Sequence, residues 1–185
     1  MIINAQKRGL WLGLALLVLT GCSEPFAHAN KLQEMDDFHQ VAQQAKAQNI
    51  PIMIMFTAEH CRFCHQLERE VLNPMIRGGL YEGYAMMLRK VDTDLNSQIK
   101  FSDNESLSKR NFARMYRAHV TPTVIFVDAS GKPVAEPLVG TMDVQLYAGL
   151  IHQRLNQAYT RMENPMRLPV SPDQMRRPLA QFTPN

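Results

Sequence analysis

Apolar and polar positions change period several times along the chain, and each change marks an element. Met35, Phe38, Val41, Ala42 and Ala45 recur at helical spacing, Asp36 or Asp37 can cap the start, and the pattern ends near Asn49. Residues 50–56 (IPIMIMF) are a near-continuous apolar run of strand length without polar alternation, which predicts a strand covered on both faces and central to its sheet. A short connection over 57–60 follows, and Cys61 opens a second helical pattern in which Cys64, Leu67, Glu68 and Val71 share a face; Asn73-Pro74 is expected to stop it. Further on, the pattern predicts a short helix over 76–81, a strand over 84–91, a polar loop over 92–105 and a helix from Ser106 to about Ala118. Residues 119–128 (HVTPTVIFVD) place Pro122 just before an apolar β-rich run, 129–132 make a hairpin turn, 134–140 return as a strand and 144–159 form the closing helix. This order predicts an α/β domain over 34–160: a mixed central sheet of about four strands with helices on both faces.

The ends of the chain read differently. Lys7 and Arg8 precede an apolar stretch from Leu10 to Leu19, then Thr20-Gly21-Cys22. Ten helical residues span roughly 15 Å, half of the roughly 30 Å hydrocarbon core, so residues 1–21 are expected to be a signal peptide that is removed rather than a lasting anchor. Leu19-Thr20-Gly21-Cys22 resembles the bacterial lipobox, which implies a lipidated Cys22 at the mature N-terminus and a periplasmic protein held to a membrane by its lipid. By the same resemblance Ser23, where Asp would favour the inner membrane, favours the outer one. Residues 22–33 are read as a tether. Residues 161–185 hold five of the chain's 11 prolines and no apolar period, so a disordered tail is expected.

Composition narrows the functional classes. A net charge of +3 on 185 residues is far from the dense basic surface that points to nucleic acid, and 45% hydrophobic content is too high for a disordered chain. Three cysteines are too few for a four-Cys zinc site or a self-contained iron–sulfur cluster. With Cys22 lipidated in an oxidising compartment, Cys61 and Cys64 remain.

Two cysteines three positions apart on the first turn of a helix can cycle between dithiol and disulfide with little backbone change. Cys61 is expected to be the nucleophile, because the unpaired N–H groups of the helix start, Arg62 and a charged His60 all favour its thiolate. Cys64, one turn deeper, would resolve the mixed disulfide. Phe63 between them is read as partner-facing. The remaining histidines, His28, His39, His119 and His152, are read as surface or core residues, and Met53, Met55, Met86 and Met87 as core filler.

Strand, FTAEHCRFC, helix, and then VTPTVIFVDASGKPV resemble the thioredoxin superfamily over roughly residues 34–160, and more narrowly periplasmic sulfur-oxidation thioredoxins and Dsb proteins. The resemblance implies a thioredoxin fold and a thiol-disulfide oxidoreductase acting on exported proteins, with no dissociable cofactor and a membrane thiol transporter as electron donor. It also implies that Thr121-Pro122 is the cis-proline site that positions an extended substrate segment. The reducing branch is favoured, because isomerases of this class add a dimerisation domain; an oxidase remains open, since Arg62 and His60 would stabilise the reduced form.

The chain departs from the family pattern at three places: His60 stands for Trp, Arg62-Phe63 for Gly-Pro, and Met55 for the buried Asp that assists proton transfer to the second cysteine. Glu59 or His60 is therefore a candidate to handle that proton through water. A rival from another class is c-type haem attachment, because Cys61-Arg62-Phe63-Cys64-His65 reads C-x-x-C-H. Against it, a β-strand leads directly into the motif and another follows TPT. Zinc held by Cys61, Cys64, His60 and His65 is not expected, since four ligands within six residues crowd one helix start. A third reading is a structural disulfide in a non-catalytic lipoprotein.

Overall fold

The computed structural model describes residues 30–140 and 143–176. The expected signal peptide, Cys22, His28 and most of the expected tether lie outside the described residues, as do residues 177–185 of the tail. Along the chain run β1 (Gln33–Glu34), α1 (Phe38–Gln48), β2 (Ile52–Thr57), α2 (Arg62–Leu67), α3 (Asn73–Arg77), β3 (Met87–Asp92) and β4 (Gln98–Lys100). They are followed by β5 (Ser106–Ser108), α4 (Lys109–Met115), β6 (Thr123–Val127), β7 (Leu138–Val139) and α5 (Val144–Arg161). Five strands form one mixed sheet in the order β1-β3-β2-β6-β7, with β1, β3 and β2 parallel and β6 and β7 antiparallel. This is the expected mixed sheet with one strand more, the two-residue edge strand β1.

Every residue of β2 is buried, as its unbroken apolar run requires. Its side chains divide between two cores. Ile52, Ile54 and Phe56 pack with Phe38, Val41 and Phe112 of α1 and α4, and Met53 and Met55 pack with Cys64, Leu67 and Ile151 on the opposite face. Local chemistry sets the ends of α1: the Asp37 carboxylate accepts the Gln40 N–H at 2.7 Å, and Asn49 turns left-handed at φ 51°.

Three stretches depart from the pattern-based expectation. Pro74 does not end the helix that begins after Cys61. A π-helical turn over Glu68–Leu72 joins α2 to α3, and the Asn73 N–H bonds the Glu68 carbonyl five residues back. The wider turn shifts the ladder just before a residue that has no N–H to give, so the helix passes the proline and ends at Arg77. The expected polar loop over 92–105 contains β4, which pairs with β5 in the first three residues of the helix expected from Ser106, so α4 begins only at Lys109; Ile99 is fully buried and Phe101 stacks on Phe38 with centroids 5.1 Å apart. At the N-terminal edge, Leu32 is buried and its N–H bonds Asn73 Oδ1 at 2.8 Å, so the described end of the expected tether is packed.

The first part of the expected disordered tail is also packed. Asn156 of α5 bonds both the N–H and the carbonyl of Leu168, and Leu168 and Met175 are buried against the α5 core. Composition hid this, because the segment carries few apolar residues and the polar side chains of α5 satisfy its backbone instead.

His152, fully buried on α5, is the centre of this attachment. Its Nδ1–H donates to the Pro169 carbonyl at 2.6 Å, and Nε2 accepts from the Tyr81 hydroxyl at 2.8 Å. The hydroxyl is the donor, since burial and the nearby Asp173 charge push Tyr81 up to about 12. Burial holds the His152 imidazole below its ordinary 6.5, only partly offset by the bond to Pro169. Well above pH 6.5 the ring is neutral in both folded and unfolded chains and contributes no pH dependence. Below it the unfolded chain takes up a proton that the folded chain refuses, so stability falls with acidification. Denaturant unfolding between pH 7.5 and pH 5.5 is expected to show this loss, at a slope of up to about 1.4 kcal/mol per pH unit, and His152→Asn is expected to flatten it.

Candidate functional site

The central strand delivers the cysteine pair to one end of the sheet. β2 ends at Thr57, whose carbonyl accepts both the N–H and the hydroxyl of Thr93. The chain then turns, with the Cys61 N–H on the Ala58 carbonyl at 3.1 Å and the Glu59 N–H on Asp94 Oδ2 at 3.0 Å, so the loop is pinned to the segment that follows β3. Cys61 is the N-cap of α2, and its Sγ accepts the Cys64 N–H at 3.2 Å. Cys61 and Cys64 form a disulfide with Cα atoms 5.2 Å apart. The two cysteines differ in setting: Cys64 is fully buried in the core beside Leu67, whereas Cys61 is half-buried. Phe63 between them is 56% exposed.

The proline loop arrives at the same end of the sheet. In the antiparallel pairing of β2 with β6, Phe56 stands opposite Thr123, so Pro122 falls level with Thr57, where the cysteine loop departs. The Thr121–Pro122 peptide is cis, Pro122 is buried, and its carbonyl accepts the Gly140 N–H at 2.8 Å. Val120, just before it, is 54% exposed.

Glu59, His60 and Arg62 are all exposed and line a surface groove of about 500 Å³ with His65, Gln66 and Arg69. Neither cysteine lines this groove. His65, the histidine of the C-x-x-C-H pattern, is exposed and donates from Nε2 to the Glu59 carbonyl at 2.9 Å. Among the described residues no three His, Cys, Asp or Glu side chains gather as a metal site would require, and no helix is long and apolar enough to cross a membrane.

Met55, at the position where the resemblance implies an acid, is fully buried in the same core as Cys64. The acid on this face comes instead from the helix. Glu68, one turn beyond Cys64, places its carboxylate 2.9 Å from Lys90 Nζ on β3, with side chains 14% and 27% exposed respectively. Sequence reasoning did not single out this pair. Its signal was a charged residue on the otherwise apolar face of Cys64, Leu67 and Val71, which demands a cation on the sheet beneath.

The fold and the helix-capping disulfide define a thioredoxin-like protein. Residues 38–154 match the family model described as a thioredoxin-like domain, and the chain belongs to that family. Among solved structures it is similar to a mutant thioredoxin from Halobacterium salinarum, at 18% identity and TM-score 0.46, over 68% of this chain and 92% of that one. It is also similar to a thioredoxin from Malassezia sympodialis, at 18% identity and TM-score 0.48, over 67% of this chain and 90% of that one. An oxidised thioredoxin from Arabidopsis thaliana gives 19% identity and TM-score 0.44, over 67% and 94%. No curated protein sequence matches the chain.

Proposed function

We propose that the protein is a thiol-disulfide oxidoreductase that reduces disulfides of exported proteins through Cys61 and Cys64. The observation that carries this reading is the asymmetry of the pair: the cysteine at the helix cap is only partly buried, and the cysteine it bonds is fully buried. A thiolate at Cys61 would attack the partner's disulfide to form a mixed disulfide, and Cys64 would then displace the partner's sulfur and restore the Cys61–Cys64 bond. The net change is two electrons from the dithiol to the partner, which leaves as two thiols. Thr121 and Pro122, level with the end of β2, would line the bound segment of the partner. Glu59, His60 and Arg62 would modulate the exchange from the exposed groove beside the helix.

In the same reading residues 1–21 direct export, Cys22 carries the lipid, and the domain works in the periplasm on the outer membrane, with electrons from a membrane thiol transporter. The support for this is the sequence Leu19-Thr20-Gly21-Cys22-Ser23 and the apolar stretch before it.

An equilibrium redox titration of the purified chain in glutathione and dithiothreitol buffers tests the direction. A reversible couple between roughly −270 and −200 mV is expected. A couple near roughly −120 mV would make the protein an oxidase, in line with the cationic neighbours of Cys61, and a pair that never titrates would be a structural disulfide. An absorbance spectrum of the same sample is expected to lack a Soret band; its presence would replace this reading with covalent haem attachment at C-x-x-C-H.

A further inference from the structure

Resting on the proposed exchange reaction, we propose that a groove between α4 and the segment after β3 receives an acidic stretch of the partner protein, and that Arg110 and Arg114 select partners of this kind. The groove measures about 290 Å³, and its lining includes Thr93, Leu95, Asn96, Arg110, Asn111 and Arg114 but no carboxylate. Arg110 and Arg114 stand one turn apart on α4, so their side chains share one helical face. Both are exposed, and among the described residues neither joins an ion pair. Arg114 donates to the neutral Asn111 Oδ1 at 3.2 Å, which leaves its charge uncompensated. Arg69, Arg89, Lys90 and Arg161, by contrast, each bond a glutamate. Two free guanidinium groups in one concavity concentrate positive potential where a partner's carboxylates can meet it.

The groove lies at the end of the sheet that carries the cysteine pair. Thr93 bonds the Thr57 carbonyl at the end of β2, and Asp94, between two lining residues, takes the Glu59 N–H of the cysteine loop on Oδ2. At its other end α4 leads through residues 116–120 into the cis-proline loop. Glu59 and Asp94 are exposed acids on the path from the groove to Cys61. They would repel a carboxylate set directly over the cysteine loop, so the acidic residues of the partner are expected to flank its disulfide at a distance and not to adjoin it. Leu95, 47% exposed, offers the same stretch an apolar contact, and Asn96 and Asn111 offer it amide groups.

The test is reduction of fluorescent disulfide peptides by the pre-reduced full chain. The peptides differ only in the residues flanking the disulfide: aspartates, asparagines or lysines. At low salt kcat/KM is expected to be about three- to tenfold higher for the aspartate peptide than for the asparagine peptide, with the difference in KM. The preference is expected to vanish between about 0.01 M and about 1 M salt, as the Debye length falls from roughly 30 to roughly 3 Å. Arg110→Gln with Arg114→Gln is expected to bring the ratio near one, and the paired lysine substitutions to retain it. The paired glutamate substitutions are expected to turn the preference towards the lysine peptide.

An aspartate peptide reduced no faster than the asparagine peptide at low salt, or a preference that survives the paired glutamine substitutions, overturns the assignment. Capture of the chain by vesicles of anionic phospholipid, with no preference among peptides, would make the groove a membrane contact and overturns it as well. Fluorescence anisotropy with a cysteine-free aspartate peptide separates docking from exchange. If that peptide binds the unsubstituted chain but not the glutamine pair, while no peptide is reduced, the exchange reading fails and the groove stands.

Discussion

Cys61→Ser is expected to lower disulfide reduction to the background rate of the dithiothreitol in the assay, whereas Cys64→Ser is expected to accumulate a mixed disulfide with the substrate. The asymmetry follows from the site. Cys61 is the half-buried cap whose sulfur accepts the Cys64 N–H, a donor that stabilises its thiolate and that survives in Cys64→Ser because it belongs to the backbone. A hydroxyl in place of Cys61 has no comparable anion near neutral pH and cannot start the exchange. A hydroxyl in place of Cys64 leaves the first attack intact and removes the buried sulfur that would release the partner, so the covalent intermediate should persist on a non-reducing gel. Equal loss in both variants with no trapped intermediate would contradict the assigned order of attack.

The largest loss of stability is expected away from the site, at Lys109. This residue is fully buried at the start of α4, with Nζ 2.7 Å from Glu34 Oε1 and 3.0 Å from Asp36 Oδ1. Glu34 also accepts the Asp92 N–H, so one ammonium ties the edge strand β1 and the start of α1 to α4 and the end of β3. Burial pulls the Lys109 pKa down, but the bonds to Glu34 and Asp36 outweigh it and leave the group above its ordinary 10.5. A folded value above the unfolded one means that the stabilisation is complete below pH 10.5 and is lost only as pH rises through the folded value. Removing one partner of a fully buried pair costs about 3–5 kcal/mol. Here the Asp36 side chain is 68% exposed, and solvent can recover its charge. Lys109→Met is therefore expected to cost about 2 kcal/mol and to lower the Tm by about 4–8 °C, while leaving the redox potential of the cysteine pair unchanged. A melting temperature within about 1 °C of the unsubstituted chain would show that the two carboxylates gain nothing from the ammonium.

Much of the site was legible along the chain because its signals are local. A cysteine at a helix start, a second one turn later, and an apolar strand before them can be read from spacing alone, and so can the proline before the next apolar strand. The Glu68–Lys90 pair was not legible, because a carboxylate on the helix finds its partner only when Lys90 is known to lie on the strand beneath it. Glu59 and His60, the candidates nearest in sequence, stand in an exposed groove, since proximity along the chain says little about which face a loop side chain takes.

Periodicity and turn chemistry determined α1, α5, the all-buried β2, the order of the main strands and the place of Cys61 at a helix cap, whereas the helix expected over 76–81 ends at Arg77 and the one expected from Ser106 begins at Lys109. Tertiary structure decided the rest. It set the Glu68–Lys90 and Lys109–Glu34 pairs, the docking of residues 164–176 around His152, the fifth strand β1, and the passage of the helix through Pro74. Each is a contact between residues far apart in sequence, or a local conflict settled by packing, and neither leaves a period in the sequence for a single chain to show.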